Sequence, residues 1–139
     1  MAGETNLAIL IKNMQPILNE GQYVFCNVPS IASFDLDKIR FFFKEKEGIT
    51  VVLEKNDADT EGVIYTSVFG WITLAVYSSL DAVGLTAAFS KALADNNISC
   101  NVVAGYYHDH IFVQEDLAQQ AVDVLRKLSL SYWYGAFQG

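Results

Sequence analysis

The chain is short of cations. Nine lysines and arginines stand against sixteen acidic residues, the net charge is −7, and the only arginines are Arg40 and Arg126. A surface that follows a phosphate backbone needs clustered basic side chains, so no nucleic-acid partner is expected. Cysteine is scarce too. Cys26 and Cys100 each sit in a valine-rich apolar segment without a CxxC pair, which points to free, reduced thiols and not to a disulfide or a cysteine metal site. Long hydrophobic runs are missing: residues 69–76 are interrupted by Gly70 and Thr73 and are too short to span a bilayer. No membrane partner is expected. The opening Met-Ala-Gly-Glu-Thr-Asn has no basic region followed by an apolar run, so a secretory signal is not expected and the cytoplasm is the default location. Ser78 and Ser79 lack a G-x-S-x-G context, and no glycine-rich phosphate loop precedes a helix. No catalytic residue and no cofactor is therefore assigned.

What remains is apolar. Hydrophobic residues make up 52% of 139 positions, enough for one ordinary domain or two small units sharing a core. Leu7, Leu10, Ile11 and Met14 recur at helical spacing, and Pro16 marks the end of that helix. "YVFCNV" reads as a strand apolar on both faces. "IRFFFKEKEGITVVLE" reads as a hairpin turning near residues 46–48, because aromatic and β-branched residues fill both arms. "NDADTEG" reads as a polar turn or one helical turn, and "VIYTSVF" (63–69) as a further strand.

Beyond Gly70 the pattern is cleaner. "WITLAVYS" (71–78) reads as a strand. Leu85, Ala88, Phe89, Ala92 and Leu93 then share one helical face, with Ser79 or Asp81 as candidate N-cap and Asn96-Asn97 as the stop. "ISCNVVAG" (98–105) is a strand whose hairpin partner is "HDHIFV". A second helix over 115–130 carries Leu117, Ala121, Val124, Leu125 and Leu128 as its stripe. A last strand in "LSYWYGAF" would complete β-α-β-β-α-β, the ferredoxin-like plan of an α+β fold with helices on one face of an antiparallel sheet.

The stretch "ITLAVYSSLDAVGLTAAFSKALADNNISCNVVAGYYHDHIFV" resembles an ACT domain. Together with "GETNLAILIKNMQPILNEGQYVF" and "KEKEGITVVLE", the whole chain resembles a family of short stand-alone proteins with two tandem ACT-like units. The units would be 1–69, permuted or trimmed because its helix precedes its first strand, and 70–139, a complete ACT domain. The resemblance implies a regulatory module, a homodimer, and an amino acid as the small-molecule partner. It also implies a binding site at the first strand–helix turn: Ser78, Ser79, Leu80, Asp81, Ala82, Val83 and Gly84.

The physics of that turn agrees. The start of a helix presents unpaired N–H groups and a positive dipole end, which together hold a carboxylate without arginine. Asp81 has two readings, as a helix cap or as the partner of a ligand ammonium. Capping with Gly84 packed on the sheet is the purely structural reading of the same residues. His108-Asp109-His110 contains both histidines. In a strand starting at His108, His108, His110 and Phe112 face one way and Asp109, Ile111 and Val113 the other. Two histidines fall short of the three or four ligands of a zinc site, and Cys100 alone would have to supply a third. No metal is assigned. The simpler reading is a polar hairpin end, with His108 and Asp109 as candidate lining of a ligand pocket. The acidic residues between Glu45 and Glu61 read as a solvated surface, and Tyr132, Trp133, Tyr134 and Phe137 as an edge strand or subunit interface.

A non-enzymatic amino-acid sensor is thus the leading expectation. An interaction module without ligand stands second, and metal binding at the His-Asp-His hairpin third.

Overall fold

A computed structural model describes residues 6–76 and 82–134. The N-terminal helix α1 (Leu7–Asn13) begins where the Asn6 side chain accepts a hydrogen bond from the Ile9 N–H, as an N-cap should. Strands β1 (Pro16–Leu18) and β2 (Tyr23–Val28) follow, then a 3₁₀ turn (Leu36–Lys38). The expected hairpin is present as β3 (Ile39–Glu45) and β4 (Gly48–Glu54), and "NDADTEG" forms the two-turn helix α2 (Lys55–Glu61). Next come β5 (Phe69–Leu74), α3 (Leu85–Asp95), β6 (Asn101–Ala104), β7 (Asp109–Gln114), a 3₁₀ turn (Glu115–Leu117) and α4 (Ala118–Tyr134).

All strands pair antiparallel in one seven-stranded sheet of order β3-β4-β2-β5-β7-β6. β1 and β2 share the same edge of β5: Pro16–Leu18 pair with Leu74, Thr73 and Ile72, and Tyr23 pairs with Phe69. Asn19 bridges the gap, its N–H and side-chain amide both donating to the Trp71 carbonyl.

Residues facing each other across an antiparallel pair share a face, so the register divides the core cleanly. On one face Ile72, Leu74, Ile111 and Val113 pack under α1, α3 and α4. Val24, Cys26, Val51 and Leu53 continue that face under α2. The other face is aromatic: Tyr23, Phe25, Phe41, Phe69, Trp71 and Phe112 form one cluster. The sheet curls around it. β3 and β7 lie at β-sheet positions separated by β4, β2 and β5, yet the Phe41 and Phe112 rings approach to 6.1 Å. The helices thus cover one face, as expected, and the curl encloses the other.

Four local expectations need correction. Residues 63–68 are not a strand. Gly62 ends α2 in the left-handed region, the Val63 N–H returns to the Ala58 carbonyl, and Tyr65 donates to Asp59. The segment covers the core beneath α2 with Val63, Tyr65 and Val68. The strand expected over 71–78 starts earlier and stops at Leu74. Helix α3 starts at Leu85 with Gly84 in the N-cap position, which displaces the expected cap at Ser79 or Asp81; both lie outside the described residues. Finally, no strand forms from Leu130 to Tyr134, because α4 continues through them. The place beside β5 that such a strand would take is held by β1. The end of α4 docks instead on α1, where Ser129 and Trp133 both donate to the Lys12 carbonyl at 2.9 Å. Phe137 lies outside the described residues.

The two cysteines are free. Burial raises both thiol pKa values, that of Cys100 to about 11, so neither is a thiolate at neutral pH. Among the described residues, no helix is long and apolar enough to cross a membrane.

Candidate functional site

The expected ligand turn leaves the end of β5 and enters α3. Of its residues, Ser78, Ser79, Leu80 and Asp81 lie outside the described residues. Ala82 packs against the helical core, while Val83 is exposed. Gly84 has φ +101°, a conformation natural only to glycine. A Cβ there would stand 3.0 Å from Leu7 Cδ2, so α1 and the start of α3 touch through this residue. The first intrahelical bond of α3 runs from the Ala88 N–H to the Gly84 carbonyl. Gly84 has no side chain to cap the preceding N–H groups, and the first turn carries no acidic residue.

His108 and Asp109 come to the same end of the sheet. Asp109 is the register partner of Leu74, the last residue of β5, and His108 Nδ1 lies 3.4 Å from the Val76 carbonyl. The strand β7 begins at Asp109, one residue later than His108. Burial pushes the Asp109 carboxyl pKa up, against the opposing pull of the neighbouring His108 charge. A carboxylate held in that state gains most from a cationic partner.

His110 behaves differently. It faces the aromatic side of the sheet, as alternation from His108 requires, and Trp71 Nε1 and Thr73 Oγ1 both lie 3.1 Å from its Nδ1. Asn19 Nδ2 donates to Thr73 Oγ1 at 3.0 Å, which leaves the threonine hydroxyl proton for the imidazole. Burial, helped by the His108 charge, lowers the His110 pKa. Cys100 packs with the helical core on the opposite face, so it does not complete a ligand set with His110. Among the described residues no three His, Cys, Asp or Glu side chains converge in a metal-holding group.

Asn19, Trp71 and Thr73 were not singled out by sequence patterning. Their signal is the period-2 alternation of Trp71 and Thr73, which becomes informative only once β5 is known to pair with β7. The acidic stretch proves to be a partly paired surface: Arg40 meets Glu54, Lys55 meets Asp59, and Lys38 meets Asp57.

Two ACT domain family models match the chain, over residues 2–70 and 66–127. A protein of unknown function from Vibrio cholerae, described as a possible transport protein, is 48% identical, with a TM-score of 0.80 over 88% of this chain and 95% of that one. The ligand-free regulatory subunit of aspartate kinase from Thermus thermophilus has a TM-score of 0.62 at 8% identity, over 84% of this chain and 96% of that one. E. coli aspartokinase III, solved with aspartate and ADP, gives 0.59 at 11% identity over 84% of this chain and 34% of the enzyme. At such identities the two kinases share the fold alone. No functionally curated protein matches the chain. The tandem matches, the curled antiparallel sheet and the near-full-length relative agree: this chain belongs to the ACT domain family, with two ACT units in tandem, modules that are typically regulatory and ligand-binding rather than catalytic.

Proposed function

We propose that this protein is a non-enzymatic sensor that binds an amino acid where β5 passes into α3, with Ser78 to Gly84, His108 and Asp109 around the ligand. One observation carries the reading: α3 starts on a glycine, with no side-chain oxygen at its cap and no acid in its first turn. Those N–H groups suit an α-carboxylate. Asp109, at the same end of the sheet and held at a raised pKa by burial, suits the ligand's ammonium. Ligand chemistry and the family's usual role then coincide. A homodimer in the cytoplasm completes the proposal, since ACT units commonly place such turns at an interface with a neighbouring unit.

A thermal-shift screen of tag-free protein against the twenty amino acids tests it. Ligand at a hundredfold excess over its dissociation constant adds about 2.7 kcal/mol to folding stability. Gly84→Val and Asp81→Lys should each abolish the response. Failure of every amino acid to raise the melting temperature of folded protein overturns the sensor reading. The second reading, an interaction module, would then lead. Exposed Leu130, Trp133 and Tyr134 on the last turns of α4 support it, because clustered exposed apolar side chains mark contact surfaces.

A further inference from the structure

The curl of the sheet produces a cleft on the face away from α3. It measures about 300 Å³, with walls of Phe41, Trp71 and Phe112 and with Arg40, Gly105 and His110 among its remaining lining. That volume is at the small end of the range for small-molecule sites, and apolar walls with few polar groups are their usual make-up. The Trp71 and Phe112 rings lie nearly parallel, 16° apart, and offer a flat apolar surface.

The polar side chains of the lining, Arg40, Trp71 and His110, all carry N–H donors. An indole N–H only donates, so the Trp71 bond leaves Nδ1 of His110 as an acceptor and puts the imidazole proton on Nε2. That nitrogen has no hydrogen-bond partner among the described residues. It lies beside Gly105, where a Cβ would come within 3.2 Å of it, so the glycine leaves the ring edge open. Arg40 gives Nη2 to Glu54 at 3.1 Å, and a guanidinium has five N–H donors, so others remain for a ligand. No carboxylate or hydroxyl side chain lines the cleft. Its complement is therefore an anion with an apolar body and no ammonium group.

We infer that this cleft is a second binding site, for a small monocarboxylate bearing an aromatic or branched apolar group, with the carboxylate at Arg40 and the His110 Nε2–H and the body on Trp71 and Phe112. It differs from the amino-acid site in its recognition chemistry: donors and an apolar wall, with no acidic side chain to take an ammonium group.

Trp71 reports on the cleft once the other indole is removed by Trp133→Phe. Phenylacetate titrated into that full-length variant should change Trp71 emission saturably. Phenylacetamide, the same shape without the charge, should bind at least about tenfold more weakly, as should phenylacetate to Arg40→Gln, because each lacks a charge-assisted hydrogen bond. Arg40→Lys, which keeps the charge without the fork, should retain part of the affinity, and circular dichroism checks that each variant is folded. No saturable response to phenylacetate or 4-methylpentanoate overturns the inference. So does equal binding of acid and amide, or an Arg40→Gln variant that binds like its parent.

Discussion

The indole Nε1 of Trp71 donates to Nδ1 of His110 across 3.1 Å between neighbouring strands, and this contact fixes the tautomer of the neutral ring. Protonating Nδ1 would turn two incoming donors, the indole and the Thr73 hydroxyl, against a third. Trp71→Phe removes the first. In that variant the His110 pKa should rise toward the ordinary histidine value, read from the imidazole Cε1 proton in an NMR titration. Stability should fall by about 1 kcal/mol for the lost hydrogen bond.

The same ring predicts a pH dependence. The His110 pKa is lowered in the folded state from the ordinary 6.5, so the unfolded chain binds this proton more readily. Its contribution to stability is complete above pH 6.5 and is lost as the pH falls below that value toward the folded pKa. Urea unfolding between pH 7.5 and 5, at about half-unit steps, should show the loss. In His110→Phe that part of the slope should disappear.

Asp109 has the opposite sign. Its folded pKa is raised above the ordinary 3.8, so the ionised carboxylate is a burden at neutral pH that eases as the pH falls through the folded pKa. Asp109→Asn should therefore be more stable than the parent at pH 7, and the difference should vanish below pH 3.8. If Asp109 pairs with a ligand ammonium, the variant should gain stability while losing amino-acid affinity. Such a trade is typical of binding residues.

Gly70 sets the distance between β5 and α4. A Cβ there would stand 2.8 Å from the Ala118 Cβ, closer than two carbons pack. Gly70→Ala should destabilise by about 1–3 kcal/mol, and adding Ala118→Gly should recover part of the loss. Equal stability of parent and single variant in urea would show that the helix can move away freely.

Leu10 on α1 is fully buried among residues of α3, α4 and β5. Leu10→Ala should cost about 2–5 kcal/mol. The loss should appear as one cooperative transition monitored at Trp71 in a Trp133→Phe background, although the mutated helix lies far upstream in sequence.

The elements that were legible are those whose own residues dictate them. α1, the β3–β4 hairpin, α3, β7 and most of α4 follow from apolar spacing with stops at Pro16, Asn96 and Asn97. The alternation of His110 and Phe112 against Ile111 and Val113 also holds. What was hidden depends on distant partners. "LSYWY" has enough aromatic character for a strand, but β1 already occupies the edge of β5, and the Lys12 carbonyl holds Ser129 and Trp133 of a longer helix. "VIYTSVF" looks like a strand because its apolar residues cover a core; their orientation is set by the turn at Gly62. At the candidate site, His108 and Asp109 were visible as types. The Asn19–Thr73–His110–Trp71 chain was not, because no local pattern links β5, β7 and the residue that follows β1.

The position of β1 has a kinetic consequence. It lies early in the chain, yet its partner β5 and the helix that covers α1 come much later, with Ser129 reaching back 117 positions to Lys12. During synthesis α1 and β1 leave the ribosome with their apolar faces unmet, while β2, β3 and β4 can pair among themselves at once. Closure of the sheet must wait for late loop formation, which slows folding in chains rich in distant contacts. Until then the apolar faces of α1 and β1 stay unmet in the growing chain.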